Sequence, residues 1–449
     1  MNYRAGRLPV PGNSTAGARS GQRVLPGTTS NVNPRNPRGF FLPLFAQISF
    51  GDRRGIKSKG IKPVGGESNG NRYISRQPGG KEMNKLIVVY GTKPQEMVRP
   101  ALDRLKVKDS LSPNARIGIK PNLVVEKPSS SGATTTPELV EAIIVYLQEA
   151  GCRDITILES SAIGHSTKRA FSVCGYEELA SRYGVKLIDL KHDRTQTIKV
   201  QGLDLCVAGR ALGFDYLINV PVLKAHCQTQ LTCALKNLKG CLPDDEKRRF
   251  HRLGLHRPIA LLNTVVRSSL VVVDALCGDL TFEEGGNPVP MNRIFVAYDP
   301  VLADAYAAEL LGYEPRSIAY IRLAEELGVG SADLTRAEII ELQAGERTPA
   351  LPPVSPLALE LGRWVEERAA CSICYGNLLH ALARLKENGS LAALPEKIKI
   401  GQGFKGEVGS GVGVGSCTVG LTHNLPGCPP RTREMALFLE SLTRIRKGN

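Results

Sequence analysis

Two sets of side chains in this 449-residue sequence have the types and spacing for chemistry. The first lies around INVPVLKAHCQTQLTCALKNLKG, Ile218 to Gly240. Lys224, Lys236 and Lys239, with Lys120 earlier in the chain, are candidates to hold a carboxylate or phosphate by charge. Stripped of water, any of these amines would instead have a lowered pKa and serve as base or nucleophile. His226 is the candidate general acid–base, because an unperturbed imidazole titrates near neutrality. A structural loop histidine is the competing reading. Lys224, His226 and Lys236 are assigned to catalysis, and Lys120, Asn122, Lys239, Asp274 and Glu284 to substrate binding. The turn Glu283-Glu284-Gly-Gly is read as closing over this site.

The second set is sulfur. Cys371-Ser-Ile-Cys374 puts two thiolates one helical turn apart, where both reach one metal centre. Cys417 follows a Gly-rich loop, and Cys428 sits in Gly-Cys-Pro-Pro. Four soft ligands suit a [4Fe–4S] cluster, with a structural Zn²⁺ as the alternative and unligated or disulfide cysteines as a third reading. The other seven cysteines are scattered, which argues for a reducing cytoplasm rather than a disulfide scaffold. Gly401-Gln-Gly-Phe-Lys-Gly406 matches G-x-G-x-x-G after a strand-like Lys397–Ile400. More glycine follows instead of a helix, so it is read as a loop wrapped against the cysteine site, not a dinucleotide site.

These residues need elements to position them. Met83 opens a stretch in which strands and helices alternate. Strands are expected at Leu86–Tyr90, Arg116–Lys120, Ile155–Glu159, Lys186–Leu190, Tyr216–Val220, Leu270–Asp274 and Arg293–Ala297. Helices are expected at Pro94–Leu105, Pro137–Ala150, Tyr176–Tyr183, Thr229–Leu238, Pro258–Arg267, Pro300–Leu311 and Pro315–Leu327. On the Thr229–Leu238 helix, Leu231, Ala234, Leu235 and Leu238 share one face and Thr229, Thr232, Lys236 and Lys239 the other. The alternation predicts an α/β fold, a doubly wound, mostly parallel sheet over 83–343. A Pro-rich linker follows at 344–356. A small C-terminal cysteine-containing module spans 357–449, with helices near Leu357–Ala369 and Thr432–Ile445. In such sheets the ligand crevice lies beyond the carboxyl ends of the strands. Lys120-Pro121-Asn122, Glu159, Asn219 and Asp274 all fall there. Asp189 and Asp299 are read as turn and capping residues, and the basic run Lys247 to Arg257 as a solvated face.

The formal charge is +15, but residues 1–82 hold 14 Lys or Arg against 3 acids, leaving 44 against 40 elsewhere. That segment is read as a disordered basic extension. A near-neutral core with few aromatics makes nucleic acid an unlikely partner. No apolar run approaches the roughly 20 residues that span a bilayer, so no membrane role is expected.

With these residues in view, the chain resembles the uncharacterised iron–sulfur centre proteins, the domain-of-unknown-function family numbered 362. The resemblance is carried by Lys120-Pro121-Asn122, by Asn219-Val-Pro-Val-Leu-Lys224-Ala-His226, and by Lys236-Asn237-Leu-Lys239-Gly240. Asp274, the Glu-Gly-Gly turn near Glu284, and Asp299-Pro300 through Asp304-Ala305 complete it. It spans about Leu86 to Gly330 and adds Asn237 to the binding set. Lys-Ala-His226 replaces the family's usual Lys-Thr-His. The dispersed Cys371, Cys374, Cys417 and Cys428 imply one cluster rather than the two of a ferredoxin-type module. The loop Pro221 to His226 is also similar, as an analogy of layout, to nickel-pincer lactate racemases. Together these readings anticipate a cytoplasmic iron–sulfur redox enzyme acting on a small anionic substrate, or an electron-transfer partner. The alternatives are a non-redox isomerase or ligase-like enzyme with a structural metal site, and, ranked last, a nucleic-acid-binding protein that acts through the basic extension.

Overall fold

The strand Lys-Leu-Ile-Val-Val-Tyr has Leu86 and Val88 on one face and Ile87 and Val89 on the other, and all four are buried. A strand apolar on both faces needs cover on both, which sets the layout of the fold. The computed structural model describes residues 80–347 and 351–447, all within one compact unit.

The strands are β1 (Lys85–Tyr90), β2 (Ile117–Pro121), β3 (Ile155–Glu159), β4 (Lys186–Asp189), β5 (Thr195–Val200), β6 (Leu203–Ala208), β7 (Tyr216–Val220), β8 (Lys224–His226), β9 (Gln230–Thr232), β10 (Leu270–Asp279), β11 (Pro288–Ala297), β12 (Glu338–Gln343), β13 (Val365–Glu367), β14 (Ile398–Ile400), β15 (Gly409–Val414) and β16 (Leu421–Leu425). The helices are α1 (Gly80–Met83), α2 (Pro94–Arg104), α3 (Pro137–Glu149), α4 (Thr167–Val173), α5 (Tyr176–Tyr183), α6 (Ala234–Asn237), α7 (Asp244–Leu253), α8 (His256–Val265), α9 (Pro300–Leu310), α10 (Ala319–Glu326), α11 (Leu357–Gly362), α12 (Ser372–Glu387) and α13 (Thr432–Lys447).

Eight strands form the central sheet in the order β12-β1-β11-β10-β7-β2-β3-β4. Only β11 runs against its neighbours, β1 and β10; every other pairing is parallel. Helices α2, α3, α4 and α5 pack with Ile87 and Val89 on one face. Helices α6 to α10 pack with Leu86 and Val88 on the other. This is the mixed α/β, largely parallel sheet that the alternation of elements predicts. β10 and β11 are longer than expected because their antiparallel pairing continues past the sheet, with a register shift between Ala275 and Cys277.

The C-terminal module has a four-stranded parallel sheet, β13-β14-β15-β16. Its core joins that sheet to α12 and α13 through Leu378, Leu382, Ile398, Val412, Met435 and Leu439. Phe282 of the larger sheet's turn region enters this core. A separate apolar cluster of Val125, Ala133, Ile163, Cys371 and Ile373 seals the seam between module and main sheet.

Three expected helices are corrected. The segment Thr229–Leu238 is a hairpin strand followed by the short α6, because Cys233 (φ −152°, ψ −141°) breaks any helix before Ala234. Pro315–Leu327 is a 3₁₀ turn and then α10, separated by buried, non-helical Ile318. Leu357–Ala369 is α11 followed by β13. The basic extension lies outside the described residues, except Gly80–Glu82, which are in α1. Among the described residues, no helix is long and apolar enough to cross a membrane.

Candidate functional site

Adjacent parallel strands bring their polar C-terminal ends together. The register pairs Lys120 of β2 with Asn219 of β7 and Ile119 with Ile157 of β3. Lys120 is fully buried, and its ammonium donates to Glu159 Oε2 at 2.8 Å and to the Pro121 carbonyl at 2.6 Å. Glu159 also accepts from the Leu123 and Ser160 amides, at 2.8 and 2.7 Å. Gly240 lies against this pair: a Cβ there would sit 2.5 Å from Lys120 Nζ and closer still to Glu159 Oε1. The last residue of the Lys-Asn-Leu-Lys-Gly run is therefore glycine for want of space.

The β8–β9 hairpin places side chains by its period of two. Lys224, His226 and Thr232 point to one side, while Ala225 and Leu231, paired across the ladder, are buried on the other. Lys224 Nζ donates to Asn122 Oδ1, the Ala133 carbonyl and the Glu283 carbonyl at 3.0, 2.7 and 3.0 Å. Its three protons are thus spent on neutral oxygens, and burial lowers its pKa to about 8. His226 Nδ1 accepts from the Gln228 and Thr229 amides at 3.0 and 3.1 Å. That leaves its proton on Nε2, which lies 2.9 Å from Glu283 Oε2. Burial, then Lys236, drives the imidazole down to about 4, so it is neutral at ordinary pH.

Glu283 is the hub beneath this hairpin. Its Oε1 accepts a short hydrogen bond from Lys236 and one of 3.2 Å from Thr232 Oγ1. Lys236 in turn reaches Thr232 Oγ1 at 3.0 Å. Despite burial, the surrounding cations, Lys236 first, hold the Glu283 carboxyl well below its usual range.

Helix α6 is short and starts abruptly, so its free N–H groups need an acceptor. Asp304, buried in α9, supplies it, accepting from Ala234 N at 2.6 Å and from Leu235 N at 3.3 Å. Asn237, at the end of α6, accepts from Asn122 Nδ2 at 2.8 Å and donates to Asn219 Oδ1 at 2.7 Å. This asparagine chain fixes α6 against β2 and β7.

Lys236, Lys239, Asn237 and Gly240 then border a cavity of about 80 Å³, together with Asn122, Glu159, Glu283 and Glu284. Its far wall is α7, with Lys247 and His251, and the start of α12, with Ser372 and Ile373. Lys247 Nζ donates to Ser160 O, Ser160 Oγ and Ser161 O at 2.9, 2.5 and 2.7 Å. Burial lowers its pKa to about 7. Burial and then Lys236 lower Lys239 to about 7 as well. Burial and then Glu283 raise Glu284 to about 7.

A second cavity, of about 210 Å³, is bordered by Cys371, Cys374, Cys417 and Cys428. Arg248 of α7 and the loop Gly401, Gln402 and Lys405 complete its rim. Gln402 ties the wall together: Nε2 donates to the Arg248 carbonyl at 2.9 Å and meets Cys371 Sγ at 3.8 Å, while Oε1 accepts from Arg252 at 2.9 Å. Burial and then Cys428 push the Cys371 thiol up to about 11. Among the described residues, no three His, Cys, Asp or Glu side chains are grouped to hold a single metal ion.

Of the residues singled out in the sequence, Lys236, Lys239, Asn122, Asn237 and Glu284 line the lysine-walled cavity. Lys120, Lys224 and His226 stand behind it, locked to other groups. Asp274 is buried elsewhere, accepting from Thr136 N and Leu276 N at 2.7 and 3.0 Å. Asp299 caps α9 as read, accepting from Val301 N at 2.7 Å. The run Lys247 to Arg257 is not a solvated face: Lys247 and His251 are buried. The signal that marks them is the i, i+4 pairing of Glu246 with Phe250 and Lys247 with His251, the four buried positions of α7.

The chain is 26% identical over 234 residues to the thylakoid-associated protein sll1697 of Synechocystis sp., covering 50% of this chain and 72% of that protein. The lactate racemase apoprotein from Thermoanaerobacterium thermosaccharolyticum is matched with a TM-score of 0.33 at 13% identity, over 56% of this chain and 58% of that one. Residues 117–309, from β2 into α9, match the family described as Domain of unknown function (DUF362), and the four clustered cysteines lie beyond that match.

Proposed function

We propose that the protein is an iron–sulfur redox enzyme, or a partner in electron transfer, that takes a small anionic substrate in the lysine-walled cavity. One observation carries this reading. Cys371 and Cys374 border the cysteine cavity, while Ser372 and Ile373 between them border the lysine-walled one. A single turn of chain separates the two compartments.

The anion preference rests on a charge inventory. Five lysines, 120, 224, 236, 239 and 247, stand in or behind the wall against Glu159, Glu283 and Glu284. Lys120 uses Glu159, and Lys236 with His226 uses Glu283. Lys247 pairs with Asp244 at 3.5 Å, which Lys191 binds at 2.8 Å. A carboxylate would balance the remaining charge.

Four cysteines around one cavity support a cluster, with a structural zinc as the alternative. A cluster spreads its ligands over separate irons and needs room, which the 210 Å³ cavity offers. Arg248 and Lys405 on its rim favour an anionic occupant. Cys371, Cys374, Cys417 and Cys428 would hold the cluster, which when bound supplies one-electron chemistry. The chain's own residues bind and orient the anion, and the seam of Val125, Ile163 and Ile373 keeps water from between the compartments.

Purification of the full chain without oxygen tests the reading. The expected result is about four irons per chain, visible absorbance that bleaches on reduction, and loss of both in Cys374→Ser. Zinc with no iron, or an unchanged cofactor in Cys374→Ser, overturns it.

A further inference from the structure

The three amines of the lysine-walled cavity are not equivalent. Lys236 is bonded to Glu283 and Thr232, and Lys247 to three oxygens of Ser160 and Ser161. Lys239, also on the lining, has no hydrogen-bond partner among the described residues. Two further groups on the same lining are underused. Among the described residues the Glu284 carboxyl accepts a hydrogen bond from its own backbone N–H alone, and buried His251 leaves Nδ1 without a partner. An amine left bare in a polar, walled space whose lining also holds a carboxyl able to exchange protons is the arrangement of a nucleophile rather than of a structural cation. The cavity, about 80 Å³, has room for a handful of water molecules, so its ligand is small.

We propose that Lys239 condenses with the carbonyl carbon of a two- or three-carbon 2-oxo acid, whose carboxylate is held by Lys236. The Lys239 nitrogen forms a bond to the carbonyl carbon, and the carbonyl oxygen takes a proton from Glu284. Glu284 then recovers a proton from the nitrogen. Glu284 passes that proton to the hydroxyl, which leaves as water when the carbon–oxygen bond breaks, giving a protonated imine that keeps the remaining nitrogen proton beside the Glu284 carboxylate. Amine and carbonyl are converted to imine and water, and no oxidant or reductant is consumed. Burial keeps part of the Lys239 population as free amine near neutral pH, as attack requires. The inference rests on the reading of this cavity as an anion site.

The test uses the full chain with glyoxylate or pyruvate and sodium cyanoborohydride, followed by peptide mass mapping. In parallel, calorimetry with propionate, which has the carboxylate but no reactive carbonyl, reports anion binding alone. The expected result is one reduced adduct, on Lys239, retained in the surface variant Lys186→Met. The adduct should be absent from Lys239→Arg and Lys239→Met, whose folding is checked by thermal denaturation. Propionate binding without an adduct, or adducts spread over surface lysines, overturns the imine and leaves the anion site standing. Absence of both adduct and propionate binding removes the anion site as well.

Discussion

Gly376 of α12 lies directly against the carboxylate of Glu284, so closely that a Cβ on Gly376 would overlap both carboxylate oxygens. Replacing a mid-helix glycine by alanine ordinarily stabilises by about 0.5–1 kcal/mol. Here the sign should reverse. Gly376→Ala is expected to displace Glu284, lower the melting temperature, and weaken propionate binding several-fold, all measurable on one preparation.

The buried Lys120–Glu159 pair is a structural clamp with a large penalty for breaking it. Lys120→Met leaves a carboxylate buried without its cation and should cost about 3–5 kcal/mol in urea denaturation. Lys120→Met with Glu159→Gln should recover part of that loss, because the uncompensated charge is gone while the shape is kept. Equal stability of the single and double variants would show that the charge is not the cause.

Asp304→Ala should act on the site from a distance. It leaves the Ala234 and Leu235 amides without their acceptor, a loss of about 1–3 kcal/mol. Because α6 carries Lys236 and Asn237, anion affinity should fall with stability. A variant as stable as the parent would remove Asp304 from this role.

Protonation should divide binding from bond formation. Lys239 and Lys247 each titrate near about 7. The groups that face Lys239 are Lys236 on α6, Glu283 on the β10–β11 turn, His251 on α7 and Cys371 before α12, while Lys247 faces Lys191, Asp244, Glu159 and Lys239. Propionate affinity needs ammonium and should fall as pH rises through that value. Adduct formation needs free amine and should rise over the same interval. Stability follows the opposite shifts of lysine and glutamate. Lys239 binds a proton more weakly folded than unfolded, so its penalty is full below about 7 and fades toward 10.5. Lys239→Met should therefore gain on the parent as pH falls from 10.5 to 7. Glu284 binds its proton more tightly folded, so Glu284→Gln should gain as pH rises from 4.5 to about 7.

The main sheet is legible in the sequence because its strands are apolar on both faces and several of its helices open with proline: β3 and β7 have the bounds that pattern predicts, and α2, α3 and α9 begin at the expected prolines. The β8–β9 hairpin is harder to read. Leu231, Leu235 and Leu238 satisfy a helical period, while Lys224-Ala-His226 has a period of two over only three residues. Helix α7 escapes hydrophobic periodicity for a different reason. Three of its four buried residues, Glu246, Lys247 and His251, are polar. The approach of Cys371 and Cys374 follows from their spacing. Their sharing of a cavity with Cys417 and Cys428 depends on how β14 to β16 fold back, which no local pattern encodes.

Helix α7 presents Lys247 and His251 to one compartment and Arg248, the residue between them, to the other. One rigid rod therefore serves as party wall to both rooms. A rotation or slide that widened one would narrow its neighbour, so the two compartments must be inherited, altered or lost together.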